Sequence, residues 1–271
     1  MTTDSTSPLL VVDDLCVSTV DAPDTPIVRN VSFSMDAGDR VAIVGESGSG
    51  KSLTCFSILG LLDPGLRVSG GDIRWDGVSM VRMSAQKRRR VLRTDLSIVY
   101  QEPLTALNPL MPISRQIREG GTSVSQRDVL DILHEVGIRD PERVARAIPH
   151  ELSGGMRQRA MIAMAMVKSP RLLIADEPTT ALDVTIEYQV LRMMFDLTHR
   201  RGTALLFVTH DLGVVARLAQ RVIVMYRGQV VEEGSTATVL RAPQHEYTRR
   251  LLAASSLATA RTLVLEDEEG R

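Results

Sequence analysis

The feature that most limits what this chain can become is the run Gly45–Ser52, GESGSGKS. A short apolar stretch, Arg40–Val44, leads into it, and a helix-prone stretch from Lys51 to Leu62 follows it. Strand, glycine-rich loop, helix is the order that turns backbone N–H groups inward around a phosphate. Glycines let consecutive amides curl around the oxygens. The helix start adds partial positive charge. In this pattern Lys51 reaches the β- and γ-phosphates, and the Ser52 hydroxyl is a Mg²⁺ ligand. The expected contacts are Gly45, Glu46, Ser47, Gly48, Ser49, Gly50, Lys51 and Ser52.

A second run supports the first. Leu172–Glu177, LLIADE, reads as an apolar strand that delivers Asp176 and Glu177 at its C-terminal end, the end where open α/β sheets bind ligands. Asp176 is expected to hold Mg²⁺, directly or through water. Glu177 is expected to polarise an attacking water, since phosphoryl transfer rests on positioning and charge stabilisation. A third run, LSGGMRQR at Leu152–Arg159, opens an apolar helix. Ser153, Gly154 and Gly155 make it a second donor-rich helix start within one chain.

These runs together resemble the ATP-binding cassette (ABC) ATPases. In that family the LSGG segment of one subunit completes a site on the phosphate loop of another. The resemblance implies further roles. Gln101 looks like the family's Q-loop residue, a Mg²⁺ ligand that also senses the membrane partner. Ala181–Asp183 resembles the D-loop, which adds Asp183 to the nucleotide contacts. His210 resembles the switch histidine at the γ-phosphate, making Glu177 and His210 the catalytic pair. The expected cofactors are ATP and Mg²⁺.

The likeness runs from about Leu9 to Leu252. It narrows toward the peptide and nickel importer group through QEPLTALNP (Gln101–Pro109), HELSGGMRQRAMIAMAM (His150–Met166), VTHDLGVVARLA (Val208–Ala219) and the P-x-H-x-Y-T-x-x-L-L run at Pro243–Leu252. The run GKSLTCFSILGLL resembles the nickel or metal–metallophore branch. The implied partners are a second ABC ATPase subunit, two transmembrane permease subunits and an extracytoplasmic solute-binding protein. The competing reading is a non-transport ABC ATPase acting in translation or DNA repair. One departure stands out: Thr19 occupies the place where many members carry an adenine-stacking aromatic.

The expected fold is α/β: a P-loop NTPase core with a mostly parallel sheet, an antiparallel β subdomain and a helical subdomain carrying the signature. Residues 1–8 read as a disordered lead, 9–252 as the ATPase domain with a helical insertion at about 102–168, and 253–271 as a short extension ending in an acidic tail. Strands alternating with helices point to a sheet covered on both faces. Aromatics make up only 3% of residues, so aliphatic side chains and Met must fill the core. Met161, Met164 and Met166 read as packing, not metal transfer.

The net charge of −1 gives no general field for nucleic acid, and Lys87–Arg90, KRRR, reads as a solvated helix face. Cys16 and Cys55, the two cysteines, read as buried thiols in a reducing compartment. With no cysteine after Cys55, a C-terminal iron–sulfur cluster of the kind carried by many peptide importers is not expected. The N-terminus lacks signal-peptide character, and the longest apolar run falls far short of the roughly 20 residues of a membrane span. The expected location is the cytoplasmic face of the inner membrane, reached through the permeases.

Overall fold

A computed structural model describes residues 7–178 and 184–254. The elements in chain order begin with β1 (Leu10–Thr19), β2 (Val28–Met35), β3 (Arg40–Val44), α1 (Lys51–Leu59), β4 (Leu66–Trp75) and β5 (Val78–Ser79). There follow α2 (Ala85–Thr94), β6 (Leu96–Val99), α3 (Pro103–Ala106), α4 (Ile113–Glu119), α5 (Gln126–Glu135), α6 (Pro141–Arg146), α7 (Gly154–Met166) and β7 (Leu172–Asp176). The chain closes with α8 (Val184–Arg200), β8 (Ala204–Val208), α9 (Leu212–Leu218), β9 (Arg221–Tyr226), β10 (Gln229–Ser235), α10 (Thr236–Arg241) and α11 (Glu246–Ala254). Two compact units emerge, one within Met1–Arg88 and Val208–Arg271, the other Arg89–Phe207.

The first unit holds an antiparallel sheet in the order β2-β1-β4-β5. Leu10, Val12, Leu15 and Val17 of β1 turn inward and are buried, with Asp13 and Asp14 exposed between them. Alternation of this kind pins register, because a one-residue slip would expose the whole apolar set. The same unit carries β3 beside β9 in parallel, with β10 antiparallel on β9. In β3 everything after Arg40 is buried. A strand so uniformly apolar must be covered on both faces.

The second unit holds β7 paired in parallel with β6. All five residues of β7 are buried. Helices α4, α5, α6 and α7 pack on one another. Their boundaries follow local chemistry. Ser125 and Asp128 form a reciprocal capping box that starts α5. Asp140 caps α6, with Pro141 in its first turn, where no N–H partner is needed. Arg201 forks onto Glu135 at 2.7 and 3.2 Å and also reaches the Met166 carbonyl, so it ties the segment after α8 to the ends of α5 and α7. Phe195 and Phe207 meet edge to face, with centroids 5.2 Å apart.

Several expectations need adjusting. Helix α1 ends at Leu59, not Leu62, because Gly60 takes a left-handed conformation at the C-cap. Cys55 is buried, but Cys16 is only half-buried and its thiol donates to Asn30 Oδ1 at 3.1 Å. Met161 and Met166 are fully buried and Met164 partly so, as packing residues should be. Helix α2 buries none of its residues, so Lys87–Arg90 is a solvated face. The acidic tail and residues 1–6 lie outside the described residues. Among the described residues no helix is long and apolar enough to cross a membrane.

Candidate functional site

The phosphate loop is built by packing that only glycine permits at its two ends. Gly45 leaves β3 with φ at 153°, and a Cβ there would run into the backbone carbonyl of Met225 and come 2.8 Å from Ser49 Oγ. Gly50 sits at φ 98°, where a Cβ would press on Val28 Cγ2 at 3.1 Å. Strand β9 and its turn thus mould the loop from beneath. The Gly228 N–H donates to the Ser49 carbonyl at 3.0 Å, and the Arg29 N–H donates to the Gly228 carbonyl at 2.7 Å.

The loop's polar groups are of the kind that suit an anion. Gly50 is the N-cap of α1, and no side chain caps that helix, so no cap competes with a ligand at this helix start. Ser49 is buried, and its Oγ has no hydrogen-bond partner among the described residues. Buried polar atoms are nearly always paired, so this hydroxyl fits a ligand oxygen. Lys51 is buried with its Nζ folded back on the Gly45 and Glu46 carbonyls, both at 2.9 Å. That places one positive charge inside the loop.

His210 belongs to the same unit. The preceding Thr209 N–H donates to the Ile43 carbonyl at 3.3 Å, which sets this segment against β3. Asp211 caps α9 through the Gly213 and Val214 amides, and the His210 side chain is exposed. Thr19 ends β1. Its hydroxyl accepts the Ala22 N–H at 3.1 Å, so it is engaged in its own turn.

In the second unit, β7 carries Asp176 at its last position, 7% exposed. Glu177 follows in a left-handed conformation, φ 43°. A non-glycine residue held there costs energy. Ser153 caps α7 by accepting the Met156 N–H at 3.4 Å. The adjoining Gly154 is exposed and Gly155 partly so. From the same helix, buried Gln158 donates its side-chain amide to the Pro178 carbonyl, linking the signature helix to the backbone just past Glu177. Gln101 is exposed after β6. Asp183 lies outside the described residues.

Sequence reasoning did not single out Tyr247 of α11. Its hydroxyl accepts the Glu46 N–H at 2.8 Å, and its ring stacks on Tyr226 with centroids 4.1 Å apart. The residue stood in the Pro243–Leu252 run, but nothing there pointed to the phosphate loop 201 positions away. Gln158 was likewise quoted only as part of the LSGG run.

The profile described as ABC transporter matches residues 28–180. The chain is 49% identical over 260 residues to the peptidoglycan transport ATP-binding protein of Agrobacterium fabrum, covering 92% of this chain and 47% of that one. It is 44% identical to the dipeptide transport ATP-binding protein of Escherichia coli, covering 91% of this chain and 78% of the relative. It therefore spans about half the length of the first relative and most of the second. Among solved structures, a dimeric ATP-binding cassette in a post-hydrolysis state, bound to ADP and Pi, superposes with a TM-score of 0.72. The sequence identity is 25%, over 84% of this chain and 98% of that one. The glycine-walled loop, its internal lysine, the strand ending in Asp176 and the capped LSGG helix thus belong to a known lineage: this chain is a member of the ABC transporter family, with that family's ATPase fold.

Proposed function

We propose that this chain binds and hydrolyses MgATP to drive a peptide-class importer. The observation that carries the reading is the loop Gly45–Ser52: an uncapped helix start, an unpartnered buried hydroxyl and an enclosed lysine, all in one cradle. These features fit a polyphosphate. The amides of the loop and Lys51 would hold the phosphates. Ser52, Gln101 and Asp176 would supply oxygen ligands to Mg²⁺, a hard cation that takes few protein ligands beside phosphate oxygens. Among the described residues no three His, Cys, Asp or Glu side chains gather into a metal cage, and this mode of binding needs none. When bound, the cation supplies charge neutralisation on the phosphates.

The chain's own residues divide the remaining work. Glu177 would orient and polarise water for in-line attack. His210 would meet the γ-phosphate. Ser153, Gly154 and Gly155 of one subunit would close on the nucleotide held by another, with Asp183 beside them. Nucleotide would then join two ATPase subunits, and closure would pull on two permeases fed by a solute-binding protein. Loss of the γ-phosphate contacts would reopen the pair, a switch biased by ligand. The dimeric, ADP- and Pi-bound structural neighbour supports this arrangement.

The relatives' names favour peptide-class cargo over the nickel or metal–metallophore branch suggested by GKSLTCFSILGLL. They also favour transport over a role in translation or DNA repair. The subunit would sit at the cytoplasmic face, peripheral through its permeases. The test is phosphate release by the assembled complex. Glu177→Gln should abolish turnover while leaving nucleotide bound; turnover at the parental rate would place the catalytic role elsewhere.

A further inference from the structure

We infer that Tyr247, carried by the C-terminal helix α11, is a positioning residue for the phosphate loop: it locks the Gly45–Glu46 peptide so that the loop stays open to receive nucleotide. The inference rests on the nucleotide-binding reading of the loop.

The Gly45–Glu46 peptide is held at both ends. Its N–H donates to Tyr247 Oη at 2.8 Å. Its carbonyl, that of Gly45, accepts Lys51 Nζ at 2.9 Å, and the next carbonyl, that of Glu46, accepts Ser49 N–H at 3.2 Å and Lys51 Nζ at 2.9 Å. The lysine can leave the Gly45 carbonyl for a phosphate without releasing this peptide only if a second contact keeps its orientation. The tyrosine provides that second hold. Burial raises the Tyr247 pKa, so the phenol keeps its proton and remains a neutral partner.

The tyrosine is itself fixed in place. Its ring lies on Tyr226, and the Arg227 guanidinium sits 5.1 Å from the Tyr226 centroid on the other residue of that turn. The corner before α11 is held by Glu232 of β10, whose carboxylate accepts the Gln244 N–H at 2.8 Å and the His245 N–H at 3.0 Å. A register shift between Val230 and Glu232 falls immediately before this carboxylate. The Tyr247 N–H then closes onto His245 Nδ1 at 3.1 Å. A chain of named contacts therefore runs from an acid on an edge strand, through the start of α11, to the first peptide of the phosphate loop.

The test is Tyr247→Phe in the full chain, titrated with MgATP in a format that reports stoichiometry and Kd separately. This variant removes one oxygen and keeps the ring stack. The expected result is a 3- to 10-fold rise in Kd at unchanged stoichiometry. In a Glu46→Pro background, where the donor N–H is gone, Tyr247→Phe should add nothing further. Glu232→Gln should raise Kd in the same direction by a smaller factor. An unchanged Kd in Tyr247→Phe overturns the inference. So does a fall in stoichiometry with parental Kd in the remaining sites, because that marks a merely structural residue. If the parental chain itself binds no MgATP, the function assigned to the loop fails, whatever Tyr247 does.

Discussion

Replacing Gly45 by alanine isolates what packing contributes to the loop, and Gly48→Ala is its internal control. Both glycines have positive φ, 153° and 77°. At Gly48 a Cβ would meet nothing within 4 Å. The cost there is only the backbone preference, about 1–2 kcal/mol, partly offset by a stiffer unfolded chain at about 0.4–1 kcal/mol. At Gly45 the Cβ would meet the Met225 carbonyl well inside 3.0 Å. That oxygen is backbone in a central strand, so no rotamer change relieves the clash. The conformational cost is of order 1–3 kcal/mol, and overpacking adds about 1–3 kcal/mol. With the same offset applied to both, Gly45→Ala should lose about 1–6 kcal/mol, against about 0–1.6 kcal/mol for Gly48→Ala. The assay is urea unfolding without nucleotide, where neither effect depends on ligand. Gly45→Ala should also weaken MgATP binding by more than about tenfold, because β3 and the loop must part from β9; tenfold corresponds to about 1.4 kcal/mol. Equal unfolding free energies for the two variants would refute the claim that β9 moulds the loop.

Other outcomes follow from single contacts. Ser153→Arg should leave MgATP affinity of the isolated chain unchanged while abolishing ATPase of the assembled complex; equal ATPase would refute the shared site. Glu177→Gln with MgATP should run as a closed dimer of ATPase subunits in light scattering, and a species of unchanged mass in the complete pair would refute nucleotide-driven closure. Lys168 donates to the Leu92 and Leu96 carbonyls at 2.8 and 2.6 Å, and burial lowers its pKa to about 8. Between about pH 8 and the ordinary lysine value, the unfolded chain binds more protons than the folded one, so this group makes stability rise with pH across that window. Lys168→Met should flatten that rise, as read by denaturation at pH 7.5 and 10 against the parental chain; identical slopes would refute the assignment.

Much of the candidate nucleotide site was legible because its chemistry is local. The strand, loop and helix around Gly45–Ser52 are contiguous, and the residues that turn the backbone are those proposed to bind the ligand. LLIADE was legible because a strand buried on both faces leaves an unbroken apolar run. What stayed hidden depended on distant partners. Gly45 must be glycine because of Met225, and no local pattern says so. Strand β10, QVVEEGS, carries two acids and is half-exposed, so it lacks the alternation that reveals a strand; Glu232 is there to hold α11. Tyr247 reads as an ordinary helix residue until the fold brings it to Glu46. Cys16 looked like a core residue because its neighbours are apolar, yet the irregular register of β1 at this point leaves it half-exposed.

The most direct test of the whole account is equilibrium binding of MgATP to the parental chain and to Lys51→Ala. The account predicts one nucleotide per parental chain and none at the same concentrations in the variant, which should stay folded but be less stable by about 1–3 kcal/mol, because the Gly45 and Glu46 carbonyls lose this donor. Undiminished binding by Lys51→Ala would contradict it.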